Sequence, residues 1–402
     1  MTAQHTGDRS SANQPVSTSP ASLVGAIHAF VIPGVAFQLM PVIVGAVKDG
    51  LGLATAQLGT IPAAELGAMT LANLIGAWLI RSGSWRQLLW TGWLLLIFGN
   101  LASAAAPSAA VLFACRATAG FGGGLLSAVA AAALAQAASP ERSFAASAVV
   151  QAVLAAACMA IASKLLQFSS WGILFITVAV LALPGPVLIG RIAALQSSTG
   201  HESKRAPQPT ERRSVLILWG PVGMLFGYLA MSMTWVYMGE VGKQAGLSIE
   251  TVAFALSAGT LASLVSSLFV TAVGQKLPRV VALSMTLILT CSALSIVFST
   301  SAGWVFSLGV ILWSFGATMF TPYAFATTAQ TDPSGTSTSL ASALTGAGGA
   351  AGPMLAGYFV ADSGLGSVAW LAAGFLLAGW IALASLSLRV RSFSADATRT
   401  NA

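Results

Sequence analysis

Charged side chains are scarce in this sequence. Of its 402 residues 18 are Lys or Arg and 11 are Asp or Glu, a charged fraction of 7%, whereas soluble domains carry roughly 25%. So few charges cannot cover the surface of a water-soluble globule, and the 56% hydrophobic content excludes a disordered chain. Because the apolar runs extend along the whole length, the solvent of this protein is a lipid bilayer.

Groups that bind metals or perform chemistry are also few. The cysteines lie in apolar stretches without paired spacing, which argues against a disulfide framework and a metal cluster. The histidines stand far apart, with no triad or metal-ligand spacing around them. These residues are Cys115, Cys158, Cys291, His5, His28 and His201. With no nucleotide-binding cassette in the chain either, we expect no enzyme, no ATP-driven pump, no cofactor and no metal.

The sequence has instead a series of apolar runs, each long enough to cross about 30 Å of hydrocarbon as a helix of about 20 residues. They predict an all-α integral membrane protein with twelve transmembrane helices. The predicted spans are 22–45, 57–80, 88–105, 109–137, 144–167, 172–190, 214–240, 250–273, 280–299, 304–330, 339–361 and 368–388.

The distribution of basic residues predicts the orientation. Of the 18 Lys and Arg residues, 14 fall in loops and tails on the side of the N-terminus, Arg116 and Lys164 lie within spans, and the other side has only Lys48 and Lys243. Because basic loops remain in the cytoplasm, both termini are expected there, in a multi-pass protein of the bacterial inner membrane. The net charge of +7 then belongs to loops that face anionic lipid, and no nucleic-acid partner is expected.

Turn signals repeat at an offset of 194 residues. Residues 52–55 (Gly-Leu-Ala-Thr) follow the first span and correspond to residues 246–249 (Gly-Leu-Ser-Ile) after the seventh. Such a repeat predicts two pseudo-symmetric six-helix bundles. The predicted domains are a polar cytoplasmic tail (1–21), the first bundle (22–190), a cytoplasmic linker (191–213), the second bundle (214–388) and a cytoplasmic tail (389–402).

Two local motifs connect this pattern to a known family. The second span and the loop after it contain Gly76, Ile80, Arg81, Gly83 and Arg86, and the fourth span contains Arg116-Ala117-Thr118-Ala119-Gly120-Phe121-Gly122-Gly123-Gly124. With these motifs, residues 22–388 resemble the major facilitator superfamily, although Ile80 stands where that family usually has an aspartate. The resemblance implies two bundles that tilt about a central site, with Gly76, Arg81, Gly83 and Arg86 in a cytoplasmic gate loop.

Ionisable groups inside the membrane cost about 3 kcal/mol or more and are candidates for function. They are His28, Glu65, Arg116, Lys164 and Glu240. Glu65 and Arg116 lie at similar depths and are proton-coupling candidates, together with Glu240. Three arrangements are open for Glu65 and Arg116. They form a permanent structural ion pair, they form a pair that is switched by a proton or an anionic substrate, or they do not touch. Glu240 either takes part in coupling or faces outer water, and His28 either lines the cavity or hydrogen-bonds between helices.

The resemblance also nominates substrate-binding residues, because helices one, four, seven and ten face the central cavity in transporters of this type. The nominated residues are His28, Gln38, Arg116, Tyr228, Ser232, Trp235, Trp313, Phe320 and Tyr323. Aromatic walls with a few polar groups suit a small amphipathic solute. Packing against lipid or other helices is the alternative for each aromatic residue. A neutral or monoanionic substrate is favoured over a cation.

These observations predict a proton-coupled secondary transporter of a small organic solute, working as a monomer in the lipid bilayer. Efflux of lipophilic toxic compounds is the alternative. The aromatic cavity favours it, but Cys158-Met159-Ala160 replaces the Gly-Pro element typical of drug/proton antiporters in the fifth span. A non-transporting membrane sensor is a more distant alternative.

Overall fold

Fourteen α-helices make up most of the chain described by the computed structural model, which covers residues 20–82, 84–137, 140–194, 216–273, 276–329 and 336–400. Across these ranges there is no strand, and the predicted all-α class is confirmed. The helices of the first half are α1 (Pro20–Gln38), α2 (Met40–Leu51), α3 (Thr60–Ser82), α4 (Trp85–Ala104), α5 (Ala109–Ala135), α6 (Pro140–Phe168), α7 (Gly172–Ala182) and α8 (Gly185–Ala193). Those of the second half are α9 (Leu216–Gln244), α10 (Ile249–Val273), α11 (Arg279–Ser299), α12 (Gly303–Ala329), α13 (Thr336–Ser363) and α14 (Gly366–Thr400).

Two of the predicted spans are broken by proline. The first consists of α1 and α2, which meet at Leu39, and Pro41 has no N–H to donate to the preceding turn. The sixth consists of α7 and α8, which meet at Leu183 and Pro184. The fourteen helices therefore form twelve crossing segments. We call the membrane face at which α1 and α9 begin the terminal face, and the other the opposite face.

Helix α13 is the least hydrophobic crossing. Within the described ranges, eleven segments are long and apolar enough to span a membrane on their own, and α13 is not among them. Its glycines lie against backbone of neighbouring helices, Gly348 against the Leu225 carbonyl and Gly352 against the Leu229 carbonyl of α9. Small residues of this kind permit close helix packing in membranes. Helix α13 thus combines low hydropathy with close packing against neighbouring helices.

Some predicted boundaries differ from the structure. The first crossing extends to Leu51 and the seventh to Gln244, so Lys48 and Lys243 occupy the last turns of α2 and α9 and not the outer loops. Helix α14 continues to Thr400, through most of the predicted C-terminal tail. Residues 1–19 and 195–215, which include most of the predicted N-terminal tail and linker, lie outside the described residues.

The buried core is divided on one side of the membrane and continuous on the other. Near the terminal face each bundle has its own apolar cluster, represented by Leu89 and Leu126 in the first bundle and by Met224 and Leu283 in the second. Near the opposite face a single large cluster contains residues of both bundles. The bundles are therefore packed together at the opposite face and separated at the terminal face.

Helices α3 and α5 approach each other closely at Gly120. A Cβ atom at Gly120 would overlap the backbone carbonyl of Glu65, and a backbone group cannot rotate away as a flexible side chain can. The same packing recurs one repeat later, where Gly259 of α10 lies against Val310 and Ser314 of α12. Close contact between these helix pairs is thus a shared feature of the two bundles.

We expect Gly120→Ala to destabilise the protein by about 1 to 3 kcal/mol, the usual cost of overpacking. The matched control is Gly45→Ala in α2, because a Cβ at Gly45 has no atom within 4 Å. Thermal unfolding of both purified variants in detergent tests this. Equal unfolding temperatures for the two variants would show that the α3–α5 contact tolerates a methyl group.

Candidate functional site

A cavity of about 1150 Å³ lies between the two bundles. Its walls come from α1, α3 and α6 of the first bundle and from α9, α10, α12 and α13 of the second. Lining residues such as Ala77, Thr271 and Pro322 lie toward the ends of their helices at the terminal face. The cavity therefore extends from the middle of the membrane toward the terminal face, where the apolar cores are separate.

Five of the nominated residues line this cavity, and all are polar or aromatic. They are Gln38, Tyr228, Ser232, Trp235 and Trp313. The Tyr228 hydroxyl is 3.0 Å from the Thr321 hydroxyl of α12, and the Ser232 hydroxyl donates to the Gly348 carbonyl of α13 at 3.2 Å. These bonds hold α9 against both neighbouring helices and fix the aromatic wall of the second bundle.

The other nominated residues lie elsewhere in this conformation. Phe320 and Tyr323 are packed in the apolar core of the second bundle near the terminal face. The His28 ring donates to the Leu181 carbonyl at 2.9 Å and lies 5.1 Å from the Trp93 ring, which matches the expectation of a histidine bonded between helices. Because none of them lines the cavity, we do not place them at the solute here.

Helix α5, the fourth crossing, also has no residue in the cavity wall. It packs instead against α1, α3 and α4, and this encloses Arg116 within the first bundle. The Arg116 side chain is 0% exposed and that of Glu65 is 3% exposed. The expectation that the fourth span contributes a substrate contact is therefore not met in this conformation.

Glu65 and Arg116 form a buried ion pair between α3 and α5. The Arg116 Nη2 atom lies 2.5 Å from Glu65 Oε1, and Nε donates to Oε2 at 3.3 Å. Both oxygens of the carboxylate thus meet the guanidinium group, an arrangement that fixes orientation as well as distance. Of the alternatives considered from the sequence, the absence of contact is excluded.

Further groups from α4 and α7 complete the surroundings of Arg116. Its Nη1 atom donates to Asn100 Oδ1 at 3.0 Å and to the Ser103 hydroxyl at 3.4 Å. The Phe175 ring lies under the guanidinium carbon, 4.9 Å from it, in a cation–π contact. Four helices of the first bundle therefore converge on one charged group. Asn100 and Ser103 were not predicted, because a single Asn or Ser in an apolar span carries no specific signal.

Ion pairs connect the two bundles at the opposite face. Lys48 of α2 pairs with Glu240 of α9, and Lys243 of α9 pairs with Asp49 of α2 at 2.5 Å. The Glu240 side chain is 6% exposed, whereas Asp49 and Lys243 are largely exposed. These bonds exist only while α2 and α9 are adjacent, so they belong to the conformation that is closed at this face.

A tyrosine adds to the closure. The Tyr237 hydroxyl of α9 accepts from the Gly59 N–H at 3.1 Å and donates to the Thr55 carbonyl at 3.3 Å. Both partners belong to the turn that precedes α3. The hydroxyl therefore joins the second bundle to the first at the opposite face.

The predicted gate loop is only partly described. Gly76 of α3 lies against Ala128 of α5, and Arg86 is exposed at the start of α4. The Arg81 side chain and Gly83 lie outside the described residues. The role assigned to this loop stays a prediction.

The sequence and fold of the chain are similar to those of known transporters. Residues 222–401 match the family model described as Major Facilitator Superfamily. The fold is similar to that of a bacterial homolog of the human lysosomal transporter Spinster in an inward-facing and unoccupied conformation (TM-score 0.62, 13% identity, 96% of this chain and 98% of that chain). It is also similar to that of a D-xylose-proton symporter (TM-score 0.66, 15% identity, 90% of this chain and 95% of that chain). No curated protein sequence matches the chain.

The second half thus matches the family by sequence, and nearly the whole chain has the fold of solved members. The class is that of transporters with two bundles around a central cavity, and not of enzymes. These findings confirm the resemblance to the major facilitator superfamily that the sequence predicts, by sequence for residues 222–401 and by fold for nearly the whole chain.

We expect Arg116→Leu to destabilise the protein by about 3 to 5 kcal/mol, because it leaves the Glu65 carboxylate buried without its partner. The double variant Glu65→Leu/Arg116→Leu should recover part of this loss, since apolar pairs often replace buried ion pairs at little cost. Arg86→Leu, at an exposed arginine, is the control. Thermal unfolding in detergent is the measurement, and an unfolding temperature for Arg116→Leu equal to that of the control would contradict the expectation.

Proposed function

We propose that this transporter is a proton-coupled secondary carrier of a small organic solute in the bacterial inner membrane. The observation that supports it most is the central cavity, which extends toward one membrane face while inter-bundle bonds close the other. Alternating access requires a second arrangement, in which these bonds break and the terminal face closes.

The orientation follows from the basic residues. Loops on the terminal side contain most of the lysines and arginines, as the positive-inside rule requires of the cytoplasmic side. With both termini in the cytoplasm, the cavity of this conformation extends toward the cytoplasm. A monomer is the proposed working unit, because one chain supplies both walls of the cavity.

We assign the coupled proton to Glu65. A proton on this carboxylate removes its charge and weakens the contact with Arg116, and the cost of each protonation state depends on how the helices enclose it. Helix α3 connects this pair to the other bundle, since Thr70 of α3 lies against Gly346 of α13 and Leu66 lies near Gly349. A change in the α3–α5 contact therefore acts on a helix that forms part of the inter-bundle surface.

Glu240 is a second proton-coupling candidate, at the opposite face. Its carboxylate pairs with Lys48 across the bundle boundary and is almost fully buried. When the opposite face opens, Glu240 meets water and loses this partner. The Glu240–Lys48 pair is thus linked to the position of the bundles, whereas the Glu65–Arg116 pair is linked to packing within the first bundle.

Efflux of lipophilic compounds is the second candidate function. Phe37, Met231, Trp235 and Trp313 in the cavity wall favour it, since aromatic and flexible thioether groups adapt to varied apolar ligands. The measurement of proton movement in the experiment below applies to import as well as to efflux. A complete lack of solute-dependent proton movement would favour the non-transporting sensor.

We expect Glu65→Gln to abolish solute-dependent proton movement, because the glutamine amide cannot take up a proton at the pH of the assay. Purified protein is placed in proteoliposomes with a pH indicator inside, and solutes are added under an imposed pH gradient. Glu250→Gln is the control, because Glu250 is exposed and bonds only locally and to Gln167. Coupling that persists at the wild-type level in a folded Glu65→Gln variant would refute the assignment.

We expect Lys48→Gln to shift the protein toward a conformation open at the opposite face, since Glu240 is then buried without its partner until water reaches it. Lys243→Gln is the matched control. Its ion pair with Asp49 is exposed, and exposed pairs contribute only about 0 to 1 kcal/mol.

Spin labels on Ala54→Cys and Gln244→Cys, in a chain whose own cysteines are replaced by alanine, measure the separation of the bundles at this face. Longer distances are expected for Lys48→Gln and nearly unchanged distances for Lys243→Gln. Equal distance distributions in the two variants would show that the buried pair does not hold the face closed.

A further inference from the structure

The described wall of the central cavity has no residue that is charged at neutral pH. Among the described residues that line it there is no Asp, Glu, Lys, Arg or His. The buried pair of Glu65 and Arg116 lies outside the wall and is already matched. An ionised solute that left water for this site would meet no opposite charge, and the loss of hydration is costly when no partner replaces it. The wall therefore favours an uncharged solute.

The wall of the first bundle contains three carboxamides. Gln38, Asn73 and Gln151 come from three different helices, line the cavity and are only half-buried. No protein group within the described ranges is hydrogen-bonded to their side chains. Each carboxamide has both donors and an acceptor. The first wall thus offers several free donor and acceptor pairs.

Two of these carboxamides lie next to each other. The Gln151 side chain of α6 crosses over Gly34 of α1, where a Cβ atom would overlap its amide nitrogen. Gln38 lies one turn further along the same face of α1. Gly34 therefore makes room for Gln151 beside Gln38.

The wall of the second bundle has a different character. The hydroxyls of Thr260, Ser263 and Ser267 donate to carbonyls of their own helix, so their hydrogens are already used. Trp235 and Trp313 border this wall but are buried, and its half-buried apolar groups include Tyr228, Met231 and Leu264. This wall suits the apolar face of a solute, whereas the first wall suits its hydrogen-bonding edge.

We propose that the solute is uncharged and amphipathic, with neighbouring donors and acceptors that bond Gln38, Asn73 and Gln151 and an apolar face that lies against Tyr228 and Met231. The proposal rests on the transport function proposed above and narrows it to one class of solute. Neutral sugars and nucleosides share this chemistry, and the experiment has one arm for each.

The test measures binding without transport, so its failure is distinct from a failure of proton coupling. Thermal unfolding of the purified protein is followed with two matched series of probes. One series is glucose, gluconate and glucosamine, and the other is uridine and uridine monophosphate. We expect a neutral member of one series to raise the unfolding temperature and its charged analogues to bind at least about tenfold more weakly. Stabilisation by a charged member equal to that by the neutral one, or by no probe, overturns the proposal.

Variants then test the wall. We expect Gln38→Leu and Gln151→Leu to weaken binding of the stabilising neutral probe about tenfold each, the loss of roughly one to two hydrogen bonds. Gln87→Leu is the matched control, because Gln87 is an exposed carboxamide on α4 outside the cavity. Unliganded unfolding temperatures establish that the variants fold. Wild-type affinity in both cavity variants would remove these residues from the site.

Discussion

A charged group inside a membrane protein must find its partner within the protein, because hydrocarbon supplies none. Arg116 meets this constraint with Glu65, Asn100, Ser103 and the Phe175 ring, which come from α3, α4 and α7. The contact in turn demands that α3 and α5 approach closely. The packing of the first bundle and the neutralisation of Arg116 therefore depend on each other. Gly120 permits the close approach of α3 and α5 that both require.

The two halves share a repeat but not this charge. Positions 259, 310 and 314 follow Glu65, Arg116 and Gly120 at the offset of 194 residues and are Gly, Val and Ser. The equivalent contact in the second bundle is thus direct packing of α10 on α12. If a proton on Glu65 alters the helix contact of the first bundle, these three positions of the second offer it no carboxylate or guanidinium group. The two halves therefore differ in charge at the helix contact that they share.

Apolar runs between turn and charge signals predict the crossings, and similar depth nominates Glu65 and Arg116 as a pair. This reading includes α13, which is less hydrophobic than the other crossings but is bounded by turn signals. The faces of the helices were harder to predict. Phe320 and Tyr323 lie on α12 as Trp313 does, yet they face the core, because rotation about a helix axis is set by neighbours that the sequence does not identify. The sequence does contain a signal for the pairing of Asp49 with Lys243, because these opposite charges stand at equivalent positions of the two repeats.

If Glu65 carries the coupled proton, the proton and the solute bind at different places, and helix α3 is what they have in common. Asn73 of α3 lines the cavity two turns from Glu65, and Thr70 and Leu66 lie near the glycines of α13. A proton that changes how α3 packs on α5 changes the position of Asn73, and a solute held by Asn73 restrains α3 in return. Thermodynamic linkage requires these two effects to be equal in free energy. Coupling then needs no contact between proton and solute, which agrees with a cavity whose described wall has no Asp, Glu, Lys, Arg or His.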